Sequence, residues 1–180
     1  MEKRVVFIGD PDLSDFSVVF HNLLQKFDEN IEKLIIDGYT HFMMAMCTKF
    51  DQLAFNACLK AKQKYPNIKI EVAFPFYRDD ENADTFDFIP YKDIYFAIFN
   101  TNEKYYYSQI ERCYKKMLDF GGSIICFDGN EQRDYILYYV LRYANNADME
   151  IINLFELHKD NSDIGTGTVD FLEYIPRKNK

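Results

Sequence analysis

Apolar positions along this chain follow two alternating rhythms. Short apolar runs at residues 4–8, 41–46, 68–74, 94–99, 123–127 and 150–154 have the length and continuity of strands covered on both faces. Between them, apolar residues recur three and four positions apart. One set is Phe16, Val19, Phe20, Leu23, Leu24, Phe27, Ile31, Leu34 and Ile35. A second is Phe50, Leu53, Ala54, Ala57, Cys58 and Ala61. A third is Tyr106, Ile110, Cys113, Tyr114, Met117 and Leu118. Each marks the buried stripe of an amphipathic helix, and residues 135–144 read as a fourth helix. The punctuation agrees. Gly9-Asp10-Pro11 ends the first strand, Ser14 can cap the first helix, and Asp37-Gly38 stops it. Pro66 ends the second helix, Pro75 reads as the stop of the third strand, and Gly121-Gly122 breaks the third helix. Residues 78–85 are acidic and polar and read as a loop.

Strands alternating with helices predict an α/β fold: a Rossmann-like, doubly wound, mostly parallel sheet of about five to six strands flanked by helices. Its first five strands should be parallel, with residues 4–8 in the interior. Residues 1–155 make up the domain. Residues 156–180, polar and containing Gly165-Thr166-Gly167-Thr168, read as a tail or edge segment of the same domain. Ligands in such sheets bind beyond the carboxyl ends of the strands. The loops expected there are 9–12, 47–49, 100–102 and 128–130.

Composition narrows the classes. At 180 residues the chain has the length of one domain, and 48% hydrophobic residues suffice for a sizeable core. With 17 Phe, 14 Tyr and no Trp, that core is aromatic. A net charge of -8 argues against general nucleic-acid binding, though not against a local basic pocket. The opening MEKRVVFIGD has too short an apolar run for a secretory leader, and no run approaches the roughly 20 residues of a membrane span. The expectation is a cytoplasmic chain without a membrane partner. Cys47, Cys58, Cys113 and Cys126 form no C-x-x-C pair, and His21, His41 and His158 are scattered. Neither a metal site nor a disulfide is expected. Cys58, Cys113 and Cys126 read as small buried hydrophobes. Cys47, at a strand's end, is open to a reactive role, with no His placed by sequence to activate it.

Four short stretches occur in a telling order. Phe7-Ile8-Gly9-Asp10-Pro11 closes the first strand. Ala45-Met46-Cys47-Thr48-Lys49-Phe50-Asp51 leads into the second helix at Leu53-Ala54. Tyr65-Pro66-Asn67-Ile68-Lys69 leads to Pro75-Phe76-Tyr77. Met117-Leu118-Asp119-Phe120-Gly121-Gly122 ends the third helix. In order and spacing, over about residues 5 to 155, these resemble the SLOG superfamily of Rossmann-like proteins, and its YpsA-like branch most. The resemblance implies a nucleotide or nucleotide-derived small molecule as ligand and no separate cofactor. The chain departs from the family pattern in several places. Asp10 and Pro11 stand where the family has His and Arg. Ala45, Met46 and Lys49 stand where it has three glycines, and Gly121-Gly122 where it has Ser-Asp. The P-G-G-x-G-T-x-x-E signature of the phosphoribohydrolases is missing from the sequence. Glycines in such loops let the backbone approach a phosphate. Replacing them puts side chains where phosphate oxygens would sit, which argues against catalysis. Lys49 offers a cation in exchange.

The candidate ligand-binding residues are Gly9, Asp10, Thr48, Lys49, Asp51, Tyr77, Arg78 and Asp128. All but Gly9 have a plainer alternative. Thr48 and Asp51 fit a capping box, and Asp51 also matches the Asp of the family motif. Asp10 is either a ribose contact or a turn former. Lys49 is either an anion partner or a solvated lysine. Tyr77 and Arg78 either cover the pocket or belong to a surface loop. Asp128 is either a pocket group or part of an Asp-Gly turn. Arg112 and Arg133 are solvated by default, with an anion contact as the alternative. Tyr105-Tyr106-Tyr107 is too aromatic for one buried face, so at least one of them should reach the pocket rim or a partner surface. Three functions stay open. The first is a non-catalytic or weakly active SLOG-like domain that binds a nucleotide-type ligand. The second is an interaction or structural protein with a decayed pocket, which could assemble with copies of itself. The third is a nucleotide N-glycoside hydrolase. That would need a carboxyl acid/base, for which only Asp10, Asp51 and Asp128 are available.

Overall fold

The computed structural model describes residues 3–9, 20–77, 85–91, 94–128 and 135–155. In chain order these form β1 (Lys3–Gly9), α1 (Phe20–Ile36), β2 (Tyr39–Met44), α2 (Lys49–Lys64), β3 (Lys69–Tyr77), β4 (Thr85–Tyr91), β5 (Ile94–Thr101), α3 (Tyr106–Leu118), β6 (Ser123–Phe127), α4 (Tyr135–Asn146) and β7 (Glu150–Asn153). The strands build one sheet in the order β4-β5-β3-β2-β1-β6-β7. Six of them are parallel, and β4 runs antiparallel to β5 at the edge. The fold is therefore α/β and doubly wound, with β1 in the interior.

Two strands depart most from the sequence pattern. β3 continues through Pro75 to Tyr77, with Pro75 opposite Phe99 of β5. Pairing between β2 and β3 ends at Met44 opposite Val72. Beyond Val72 no described strand pairs with the β2 side of β3, so the N–H that Pro75 lacks is not missed there. β4 itself was not legible as a strand. It has a single neighbour among the described strands and carries Pro90, as edge strands tolerate. The tail, residues 156–180, lies outside the described residues.

Alternate residues of each interior strand face opposite sides. Val5, Phe7, Phe42, Met44, Ile70 and Val72 meet α1 and α2 on one face. Val6, Ile8, Met43, Ala45, Ala73 and Cys126 meet α3 and α4 on the other. Helix α1 buries Leu23, Phe27, Ile31 and Leu34, the spacing of three and four seen in the sequence. It ends as expected at Gly38, whose φ of +88° suits glycine and whose N–H donates to the Ile35 carbonyl at 3.0 Å. At the amino edge of the sheet Glu71 is buried within ion-pair distance of Arg4 (3.7 Å) and His41 (4.0 Å). No helix among the described residues is long and apolar enough to cross a membrane.

Candidate functional site

β1 lies between β2 and β6: from β1 the chain builds outward through β2, β3 and β5, then crosses back through α3 to place β6 on the other side of β1. This is the switch point at which doubly wound sheets hold ligands. A cavity of about 170 Å³ opens there, on the α3 and α4 side. Ile8 and Gly9 come to it from the carboxyl end of β1, and Cys47 and Thr48 from the loop after β2. Tyr106, Tyr107, Ile110 and Tyr114 project from α3, and Ile136 and Leu137 from the first turn of α4.

The wall beside α2 is organised by one carboxylate. Thr48 caps α2: its hydroxyl accepts from the Asp51 N–H at 3.1 Å, and Asp51 reaches back to the Thr48 N–H at 3.0 Å, completing a capping box. The same oxygen, Asp51 Oδ2, accepts from the Cys47 N–H at 2.9 Å and from the Tyr114 hydroxyl at 2.9 Å. Asp51 is fully buried, and its Oδ1 has no hydrogen-bond partner among the described residues. Burial pushes its pKa up to about 6, outweighing the Tyr114, Cys47 and Thr48 hydrogen bonds that favour the charged form. The Cys47 thiol donates to the Ala45 carbonyl at 3.0 Å. Burial, followed by the nearby Asp51 charge, pushes it up to about 12, against a smaller opposing effect of a hydrogen bond with Tyr106. A thiol so held stays protonated near neutrality and is a poor nucleophile.

Two backbone features shape the loop. Met46 has a φ of +48°, in the left-handed region. This is one of the positions where the family resemblance places glycine, and a non-glycine residue there stores about 1–2 kcal/mol of strain. At Gly9 the expected open backbone is not what is found. A Cβ there would lie 2.1 Å from Phe50 Cγ, so the Phe50 ring fills the space that a side chain would take. The Gly9 backbone still lines the cavity.

Of the residues singled out from the sequence, Gly9 and Thr48 meet on the cavity wall, and Asp51 stands behind it as both cap and anchor. Lys49, the first residue of α2, is exposed and off the lining. Tyr77 ends β3 and is 37% exposed, also off the lining. Asp128 is buried at the end of β6. Its N–H donates to Asn153 Oδ1 at 3.2 Å and its carbonyl accepts from Asn153 Nδ2 at 3.3 Å, which ties β6 to β7. Asp10, Arg78 and Arg133 lie outside the described residues. The expectation that the Tyr105–Tyr107 run reaches a rim holds for Tyr106 and Tyr107. Sequence reasoning missed Tyr114, Ile136 and Leu137 as wall residues. Tyr114 did carry a signal, because a tyrosine in a buried helical stripe needs a partner for its hydroxyl.

The described residues contain no group of three or more His, Cys, Asp or Glu side chains placed to share a metal ion. In comparison with known proteins, the chain matches no family model and no curated sequence.

Proposed function

We propose that the chain is a SLOG-type binding domain that takes a nucleotide or nucleotide-derived small molecule and does not turn it over. The observation that carries this is the position of the cavity, at the carboxyl ends of β1 and β2 against α3 and α4. Binding without turnover is supported by the wall. No Asp, Glu, Lys, Arg or His is among the described lining residues, and the one thiol there is held protonated. The Asp51 carboxyl lies behind the wall with one oxygen committed to three donors. A general acid or base must reach the reacting atoms within hydrogen-bond distance.

Lys49 adjoins Thr48 in the chain and is the loop's cation, but it is exposed. An anionic group meeting it does so in solvent, where such a contact contributes about 0–1 kcal/mol, up to about fivefold in affinity. Calorimetry against nucleosides, nucleoside mono- and diphosphates and ADP-ribose tests the reading, with base release assayed in parallel. The expected result is saturable one-to-one binding of at least one member, no base release above background, and less than about fivefold weakening in Lys49→Ala. Failure of the whole panel would favour an interaction protein instead. The exposed Phe74 and Phe76 of β3, beside Tyr77, would then be the first surface to examine.

A further inference from the structure

We propose that the cavity beside the loop after β2 is a subsite for an uncharged aromatic ring, such as a nucleobase, rather than for phosphate. This deepens the reading above and rests on it for the ligand's class. Four observations lead there. The first is size. An apolar cavity of about 150 Å³ accepts one benzene ring, so the cavity of about 170 Å³ here has room for one ring. The second is the wall: Ile8, Ile110 and Leu137 are aliphatic, and Tyr106 and Tyr114 supply aromatic surface on which a ring can stack.

The third observation is where the donors go. A phosphate at this position would need the loop's N–H groups. Those of Cys47 and Thr48 both point to Asp51 Oδ2, as does the Tyr114 hydroxyl. The Cys47 thiol points to the Ala45 carbonyl. The protein's own carboxylate has taken these three donors. The fourth is Asp51 itself, fully buried, with Oδ1 unpartnered among the described residues. An anion in the cavity would face this carboxylate across the wall, and an uncharged ring would not be repelled. Asp51 is thus a positioning residue, which holds the wall in its uncharged form. Any anionic part of the ligand stays outside, on the side open to solvent.

The test uses the full chain and defined probes: adenine, indole, adenosine, AMP and inorganic phosphate, each titrated by calorimetry. Adenine or indole and adenosine should bind, adenosine within about fivefold of AMP. Phosphate alone should give no saturable heat. Ile110→Phe, which fills the cavity, should abolish ring binding. Because that variant changes a buried position, Tyr106→Ala is the second probe. Tyr106 is 57% exposed, so the fold should tolerate the change, while loss of a stacking surface weakens ring binding by roughly tenfold. Asp51→Ala should gain affinity for phosphate as the donors are released, a readout that a purely structural cap would not move. If AMP binds at least tenfold more tightly than adenosine and ignores both Ile110→Phe and Tyr106→Ala, the ring assignment is wrong and the nucleotide reading stands. If adenine or indole binds but no nucleoside or nucleotide does, the ring subsite stands and the nucleotide reading fails. Silence from every probe overturns both.

Discussion

Asp51 is where residue-scale physics is most exposed to measurement. In the unfolded chain its carboxyl titrates near its ordinary value of 3.8, and in the fold near 6. Below both values the proton is bound in either state, and burial carries no charge penalty. As pH rises from about 4 to about 6 the unfolded chain gives up its proton first, so stability falls by roughly 3 kcal/mol and stays lower above that window. Asp51→Asn keeps an oxygen for the same donors and has no charge to bury. Urea unfolding at about pH 4.5 and about pH 7.5 should show the fall in the natural chain and a flatter profile in the variant. Equal slopes in the two proteins would remove Asp51 as the cause. Met46 offers a second test. Its φ of +48° admits glycine freely and a β-branched residue only at high strain. Met46→Ile should be less stable than Met46→Gly by about 1–2 kcal/mol in the same assay.

At the scale of elements, the contact between β1 and α2 depends on a glycine and an aromatic ring fitting together. Phe50 lies over Gly9 and packs against Phe27 of α1 at 5.0 Å between ring centroids, while Phe27 meets Phe7 of β1 at 6.1 Å. Helix α2 is thereby seated against the strand whose end opens the cavity. Gly9→Ala should destabilise by about 1–3 kcal/mol through overpacking, and Phe50→Ala by about 3–5 kcal/mol through the hole it leaves. In the double variant most of the Gly9→Ala cost should disappear, because the new methyl group enters space that the ring has left. A strictly additive result would show that Phe50 is not what holds position 9 to glycine.

Over the whole molecule, the strand order puts β1 and β2 inside the sheet and leaves β4 and β7 at its edges. Interior strands lose their hydrogen bonds only when the sheet opens as a unit, and edge strands fray. Amide exchange should therefore be slowest in β1, β2 and β6 and faster in β4 and β7. Protection of β4 equal to that of β1 would contradict the edge position. The cavity sits on the interior part of this frame, because β1 and the loop after β2 hold one side of it. On the helical side, Tyr106 and Tyr107 at the rim are exposed.

The chain's apolar rhythm was enough to reveal the alternation of strands and helices, the two-faced sheet and the capping box at Thr48 and Asp51, because each depends on residues close in sequence. The breaks at Gly38 and Gly121 were equally local. What the pattern could not show was settled by neighbours distant in the chain. Pro75 stays in β3 because β2 has already ended beside it. Thr85–Tyr91 becomes a strand because β5 offers an edge. Gly9 resembles a phosphate-loop glycine in sequence, yet in the fold Phe50 takes up its space. Tyr114, sixty-three positions from Asp51, reads as ordinary core until folding brings its hydroxyl to that carboxylate. Local spacing determines which face of an element is buried, and only tertiary packing decides which polar groups meet there and therefore what kind of cavity they leave.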